Sequence, residues 1–190
     1  CYAKLDGKAY DFPDTQWYHD AVAYCLKKGI MKNNADGTFG LYDTTTRAMA
    51  AEALWAMEGK PKVYTHCFFG DVGEAHPQRT AITWVAETGV MAGYDDHTFG
   101  AADVITREQL ASILWRYAND KGYDVSVGED TKILSYEDAF NISEYADPAM
   151  QWACGAGIIS GNDDGTLHPE GHAQRVHTAQ MLMKFKENVK

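Results

Sequence analysis

Seven histidines, four cysteines and 27 carboxylates are the side chains of this 190-residue sequence that could hold a metal, attack a substrate or relay a proton. Their spacing argues against each of these. No His-Glu-x-x-His run occurs, and His172 and His177 stand five apart at a predicted loop–helix junction, which is not a zinc pair. Cys1, Cys25, Cys67 and Cys154 form no Cys-x-x-Cys spacing and are too scattered for a disulfide scaffold. Cys25 and Cys154 fall in apolar helical patterns and read as buried free thiols. Two Asp-rich loops, Asn34-Ala35-Asp36-Gly37 and Asn162-Asp163-Asp164-Gly165, invite a calcium reading. With the glycine as the sixth position of an EF-hand loop, the first position holds Lys32 or Ser160 and the twelfth Asp43 or Gly171, so the first ligand and the bidentate glutamate are missing. A turn, with Asp accepting local N–H bonds and Gly at positive φ, is the expected role. No nucleophile elbow, phosphate-cradling loop or dinucleotide fingerprint is present. No metal, no cofactor and no catalysis are expected.

Composition sets further bounds. The chain is 45% hydrophobic and 23% charged, ordinary for a folded protein and unlike disordered or collagenous chains. Its formal charge of -10 disfavours nonspecific binding to nucleic acid or anionic membranes, so any anionic partner must be held locally. Ala149 to Asn162, an uncharged run of 14 residues, falls short of the ~20 apolar residues a spanning helix needs, and no membrane insertion is expected. No signal peptide is visible at Cys1-Tyr2-Ala3-Lys4.

The elements that position side chains come in threes. Lys28-Gly29-Ile30-Met31 through Asp36-Gly37-Thr38-Phe39-Gly40 returns at offsets of 60 and 128 residues, as Thr88-Gly89-Val90-Met91 through Gly100 and as Ala156-Gly157-Ile158-Ile159 through His168. The same offsets carry Ala50, Ala53, Leu54 and Met57 onto Leu110, Ile113, Leu114 and Tyr117, then onto Thr178, Met181, Leu182 and Phe185, a helical stripe each time. Val22, Cys25 and Leu26 map onto Ile82, Val85 and Ala86, then onto Met150, Ala153 and Cys154, with Tyr24, Trp84 and Trp152 beside them. Each unit is therefore helix, Gly-rich loop, helix. Thr106 with Gln109 reads as a capping box, Thr46 as a cap, and Pro148 as a first-turn residue. Gly29, Gly89 and Gly157 read as left-handed helix ends. Breaker residues near 62 and 126 divide the chain into 1–62, 63–125 and 126–190. A unit of this size buries little surface alone, so the three are expected to form one all-α body, their second helices sharing a central three-helix bundle with the loops projecting outward.

These residues resemble the S-layer homology domain, which usually occurs as three tandem copies in exported bacterial surface proteins. The opening Phe-x-Asp element is matched by Phe12-Pro13-Asp14 with Trp17-Tyr18, by Phe69-Gly70-Asp71, and by Tyr136-Glu137-Asp138 with Tyr145. Gly-Ile/Val and Asp-Gly-Thr-Phe follow, then Thr-Arg-Ala-Glu opening the last helix. That last element departs from the pattern: it reads Thr46-Arg47-Ala48-Met49, Thr106-Arg107-Glu108-Gln109 and Gln174-Arg175-Val176-His177, and only the arginine is found in all three. The proline that commonly follows Asp-Gly-Thr-Phe appears only as Pro169, with Leu41 and Ala101 at the other two positions.

The resemblance implies an extracellular, noncatalytic anchor, monomeric as an isolated module, whose inter-repeat grooves bind an anionic cell-wall polysaccharide, often one ending in a pyruvylated amino sugar. Arg107, Arg47 and Arg175 are the implied ligand residues, with Asp14, Asp71, Trp17, Thr106 and Thr46 around them. A first-turn arginine beside free N–H groups and the positive helix end would suit a carboxylate. Replacing Arg107 and Arg47 together by Ala is expected to lower wall retention and leave the melting temperature near wild type. Arg47, Arg107 and Arg175 could instead form structural ion pairs with Asp14, Asp71 and Asp138. Trp84 and Trp152 read as core, and Trp17 as a groove wall. The altered motif ends at Met49, Gln109 and His177 admit an alternative, a scaffold repurposed for protein–protein interaction at the cell surface.

Overall fold

Where a unit's apolar stripes recur at helical spacing, helices form. The structure, a computed structural model, describes residues 2–5, 8–13, 15–95, 97–126, 133–162 and 164–189. Its α-helices, among the described residues, are α1 (His19–Lys27), α2 (Arg47–Met57), α3 (Arg79–Glu87), α4 (Arg107–Asp120), α5 (Asp147–Gly155) and α6 (Arg175–Asn188). This is the all-α architecture of three helix–loop–helix repeats. Ahead of α1 lies an antiparallel hairpin of β1 (Tyr2–Leu5) and β2 (Lys8–Pro13), in which Leu5 pairs with Lys8 and Lys4 with Ala9. Among the described residues this hairpin has no counterpart in the other units, so the repeat does not reveal it. Three 3-10 turns, the last Glu144–Ala146, lead into α5, which has Pro148 in its first turn as expected.

The stripes are buried as their spacing requires. Leu110, Ile113, Leu114 and Tyr117 on α4 and Thr178, Met181, Leu182 and Phe185 on α6 are all buried, as are Ala50, Ala53 and Leu54 on α2. Each large apolar side chain removed from water contributes about 1.5–3 kcal/mol. The leading helices bury Val22 and Cys25, Ile82 and Val85, Met150 and Ala153, and also Trp84 and Trp152. Gly29, Gly89 and Gly157 end these helices at φ of 66°, 74° and 67°, the left-handed turn that only glycine adopts without cost.

Packing runs between units. The pairs are α2 with α3, α4 with α5, and α6 with α1. Each leading helix thus lies on the second helix of the preceding unit, and the first unit's leading helix on that of the last. At the centre, the second helices converge on a cycle of backbone hydrogen bonds. Thr45 N–H donates to Ala173 O (2.8 Å), Ala173 N–H to Ile105 O (2.9 Å) and Ile105 N–H to Thr45 O (3.0 Å). At the other end of the bundle Tyr117 packs against Phe185, ring centroids 5.4 Å apart, and donates its hydroxyl to Glu58 beyond α2.

Candidate functional site

The arginines stand where they do because the residues before them start the helices. Thr46 Oγ1 accepts the Met49 N–H at 3.3 Å. Thr106 Oγ1 accepts the Gln109 N–H at 3.2 Å while Gln109 Oε1 accepts the Thr106 N–H at 3.0 Å, the capping box read from the sequence. Gln174 makes no side-chain cap. Both threonine hydroxyls therefore act on the backbone and position Arg47 and Arg107.

The free first-turn N–H groups expected beside the arginines are taken. Arg47 and Ala48 donate to the carbonyls of Asp103 (2.9 Å) and Ala101 (3.1 Å), Arg107 and Glu108 to Gly171 (2.9 Å) and Pro169 (3.0 Å), and Arg175 and Val176 to Asp43 and Leu41 (both 2.9 Å). The loop of the following unit thus satisfies each helix start. Rather than simply projecting outward, these loops are clamped between units.

Each guanidinium crosses to the same neighbouring loop. Arg47 Nε donates to Phe99 O (2.8 Å) and Nη2 to Ala92 O (2.6 Å), with the rings of Tyr94 and Phe99 4.6 and 4.7 Å away. Arg175 Nε donates to Phe39 O (2.8 Å) and Nη2 to Lys32 O (2.6 Å). Arg107 Nε donates to Leu167 O (2.8 Å), whereas its Nη2 reaches Ser160 O only at 3.5 Å. Burial draws all three below the ordinary arginine value, yet a guanidinium stays charged at neutral pH. The alternative of Arg–Asp ion pairs is not realised at Asp71 or Asp138. Asp71 accepts the N–H groups of Phe99, Gly100 and Ala101 (2.9, 2.8 and 3.2 Å), and Asp138 those of Leu167 and His168 (both 2.7 Å). Asp14 lies outside the described residues.

Among the described residues, Arg107 and Arg175 line clefts. Arg107, itself 6% exposed, lines one of about 380 Å³ with Asn162, His177, Gln180 and Trp17. Trp17, 59% exposed, stacks on His177 with centroids 5.8 Å apart and planes 20° from parallel, so all three units contribute to this cleft. Burial first, and then the Arg107 charge, hold His177 below the usual histidine value. Arg175, 4% exposed, lines a cleft of about 220 Å³ with Lys32, Asn34, Glu52 and Gln78. There Glu52 accepts from Lys32 and, at 3.2 Å, from Gln78. At Arg47 the Tyr94 ring lies over the guanidinium. The Asp-rich loops are turns: Asp36 accepts the N–H and hydroxyl of Thr38, and Asp164 those of Thr166.

Reading the motifs alone misses Glu52, Tyr94 and Gln180. The signal for them was in the register: the offsets of 60 and 128 align Glu52 with Ser112 and Gln180, and Tyr94 with Asn34 and Asn162.

A family model described as the S-layer homology domain matches residues 11–50, 68–111 and 135–175. The chain is 26% identical over 180 residues to an endoglucanase of Bacillus sp. (strain KSM-635), covering 92% of this chain and 18% of that protein. It is 25% identical over 162 residues to the cellulosome-anchoring protein of Acetivibrio thermocellus (83% and 35% covered), and 29% identical over 117 residues to the S-layer protein EA1 of Bacillus anthracis (60% and 12%). It spans about a third or less of the length of these relatives.

Proposed function

The chain belongs to the S-layer homology domain family, and from that premise we propose that this extracellular, cell-surface anchoring module holds a carboxylate-bearing wall polysaccharide, one ending in a pyruvylated amino sugar, at Arg107. Its units are taken as 1–62, 63–125 and 126–190, each containing one matched segment. The module acts as a monomer, and no catalytic step is part of the reading.

The observation that carries it is the Arg107 cleft. A nearly buried guanidinium faces a cavity of about 380 Å³ whose described lining holds no carboxylate and whose wall is an exposed indole. A planar fork in a partly desolvated site suits a carboxylate, and a flat aromatic face suits the apolar side of a sugar ring. Local arrangement thereby overcomes the overall charge of -10.

The test is co-sedimentation with purified wall fragments. Trp17→Ala, at an exposed position, should lower retention with little change in melting temperature. Wall stripped of its polysaccharide should retain nothing. Retention on stripped wall would favour a protein partner and overturn the glycan reading.

A further inference from the structure

The three arginine sites are related by sequence register, yet their surroundings differ in ways that bear on an anionic ligand. At Arg107, the positions that hold Lys32 and Glu52 in the first unit hold Ser160 and Gln180, and the position that holds Tyr94 in the second unit holds Asn162. Among the described residues, the Arg107 guanidinium is hydrogen-bonded through Nε and, weakly, Nη2, and none of them accepts from Nη1 to compete with a ligand. The arginine is 6% exposed and borders the cleft.

At Arg175 the chain supplies its own anion. Glu52 lines the cleft, fixed by Lys32 and Gln78, and its charge acts on Arg175. A second carboxylate entering there would meet a like charge in a partly desolvated space, a repulsion that the exposed Lys32 offsets only in part. At Arg47 the obstacle is steric. The Tyr94 ring covers the guanidinium at 4.6 Å and stands where the other two units have asparagine. The arginine's Nη2 is also engaged more tightly, at 2.6 Å against 3.5 Å for Arg107.

We infer that the Arg107 cleft alone takes the anionic ligand, one per chain, and that Glu52 and Tyr94 are internal occupants that silence the Arg175 and Arg47 sites. This rests on the anion-binding reading above. Side-chain identity at three aligned positions, not the arginine itself, sets the valency of the module.

Isothermal titration calorimetry with a pyruvate-ketal amino sugar tests this on the whole chain. Wild type should bind one equivalent. Gln180→Glu, which recreates Glu52 in the Arg107 cleft, should weaken that binding by about tenfold or more. Glu52→Gln and Tyr94→Asn should each add a second equivalent, a gain that misfolding cannot mimic. Two or three equivalents in wild type, or unchanged stoichiometry in both gain variants, would overturn the inference while leaving anion binding intact. No heat with any of the four proteins would instead overturn the anion-binding reading on which it rests.

Discussion

Arg47 and Asp71, from different units, hold the two sides of one residue: Asp71 Oδ1 accepts the Phe99 N–H at 2.9 Å while Arg47 Nε donates to the Phe99 carbonyl at 2.8 Å. Asp138 and Arg107 do the same to Leu167, at 2.7 and 2.8 Å. The family's two most recognisable charged positions therefore grip a shared loop without pairing with each other, the aspartate from within the unit and the arginine from its neighbour. One acceptor and one donor on the two peptide groups that flank a residue fix both its position and its orientation.

Arginine replacement follows from this. The expectation that Arg107→Ala with Arg47→Ala leaves melting unchanged is at odds with their hydrogen bonds, buried at Arg107 and part-buried at Arg47, since removing the donor strands the carbonyl it served. Each single substitution should cost about 1–3 kcal/mol in chemical denaturation. An unaltered midpoint for both would show that the loops hold without them.

Asp71→Asn should also destabilise, by about 1 kcal/mol, a value kept low because the residue is solvent-exposed. Burial pushes the Asp71 carboxyl up, but the N–H groups of Phe99, Ala101 and Gly100 outweigh it and hold it below the usual carboxylate value. The stabilisation is therefore complete above the unfolded value near pH 4 and lost as pH falls through the lower folded one. Acid titration of stability should be shallower in the variant than in wild type.

His177 gives a second pH effect of different origin. Its folded value is depressed, so as pH drops below about 6.5 the unfolded chain takes up the proton first and stability declines. His177→Gln should flatten the stability profile between pH 7 and 5. A carboxylate bound beside the ring would raise its value, visible as a shift of the His177 imidazole titration by NMR on adding ligand.

The cysteines offer a check on the core. Burial raises the Cys25 thiol to about 12 and the Cys154 thiol to about 11. Iodoacetamide at pH 8 should leave Cys25 unmodified in the native protein and label it once denaturant is added. Rapid native labelling of Cys25 would contradict the packing of α1 on α6.

Unfolding should be a single transition. Because α1 lies on α6 and α4 on α5, deleting residues 126–190 uncovers one face of α1 and one of α4 at once. Calorimetry of the whole chain should show one cooperative peak, and the truncated chain none.

Much of this was legible because the repeat constrains itself. Two offsets aligned the stripes of all six helices, and the Thr106–Gln109 box fixed the start of α4. Three features were hidden for physical reasons. Among the described residues the β1–β2 hairpin occurs once, so repetition could not reveal it. Helix-start N–H groups looked free because their acceptors, such as Gly171 for Arg107 or Asp43 for Arg175, lie far away in the sequence, in another unit. The differences among clefts depend on residues such as Glu52 and Tyr94 that do no visible work in a motif and gain meaning only once three units meet.

The cycle through Thr45, Ala173 and Ile105 has a last consequence. An open solenoid grows by stacking and needs special terminal units to shield its ends. In this closed ring each second helix already carries a neighbour's leading helix, α3 on α2, α5 on α4 and α1 on α6, so gain or loss of a single unit would break the cycle of pairings.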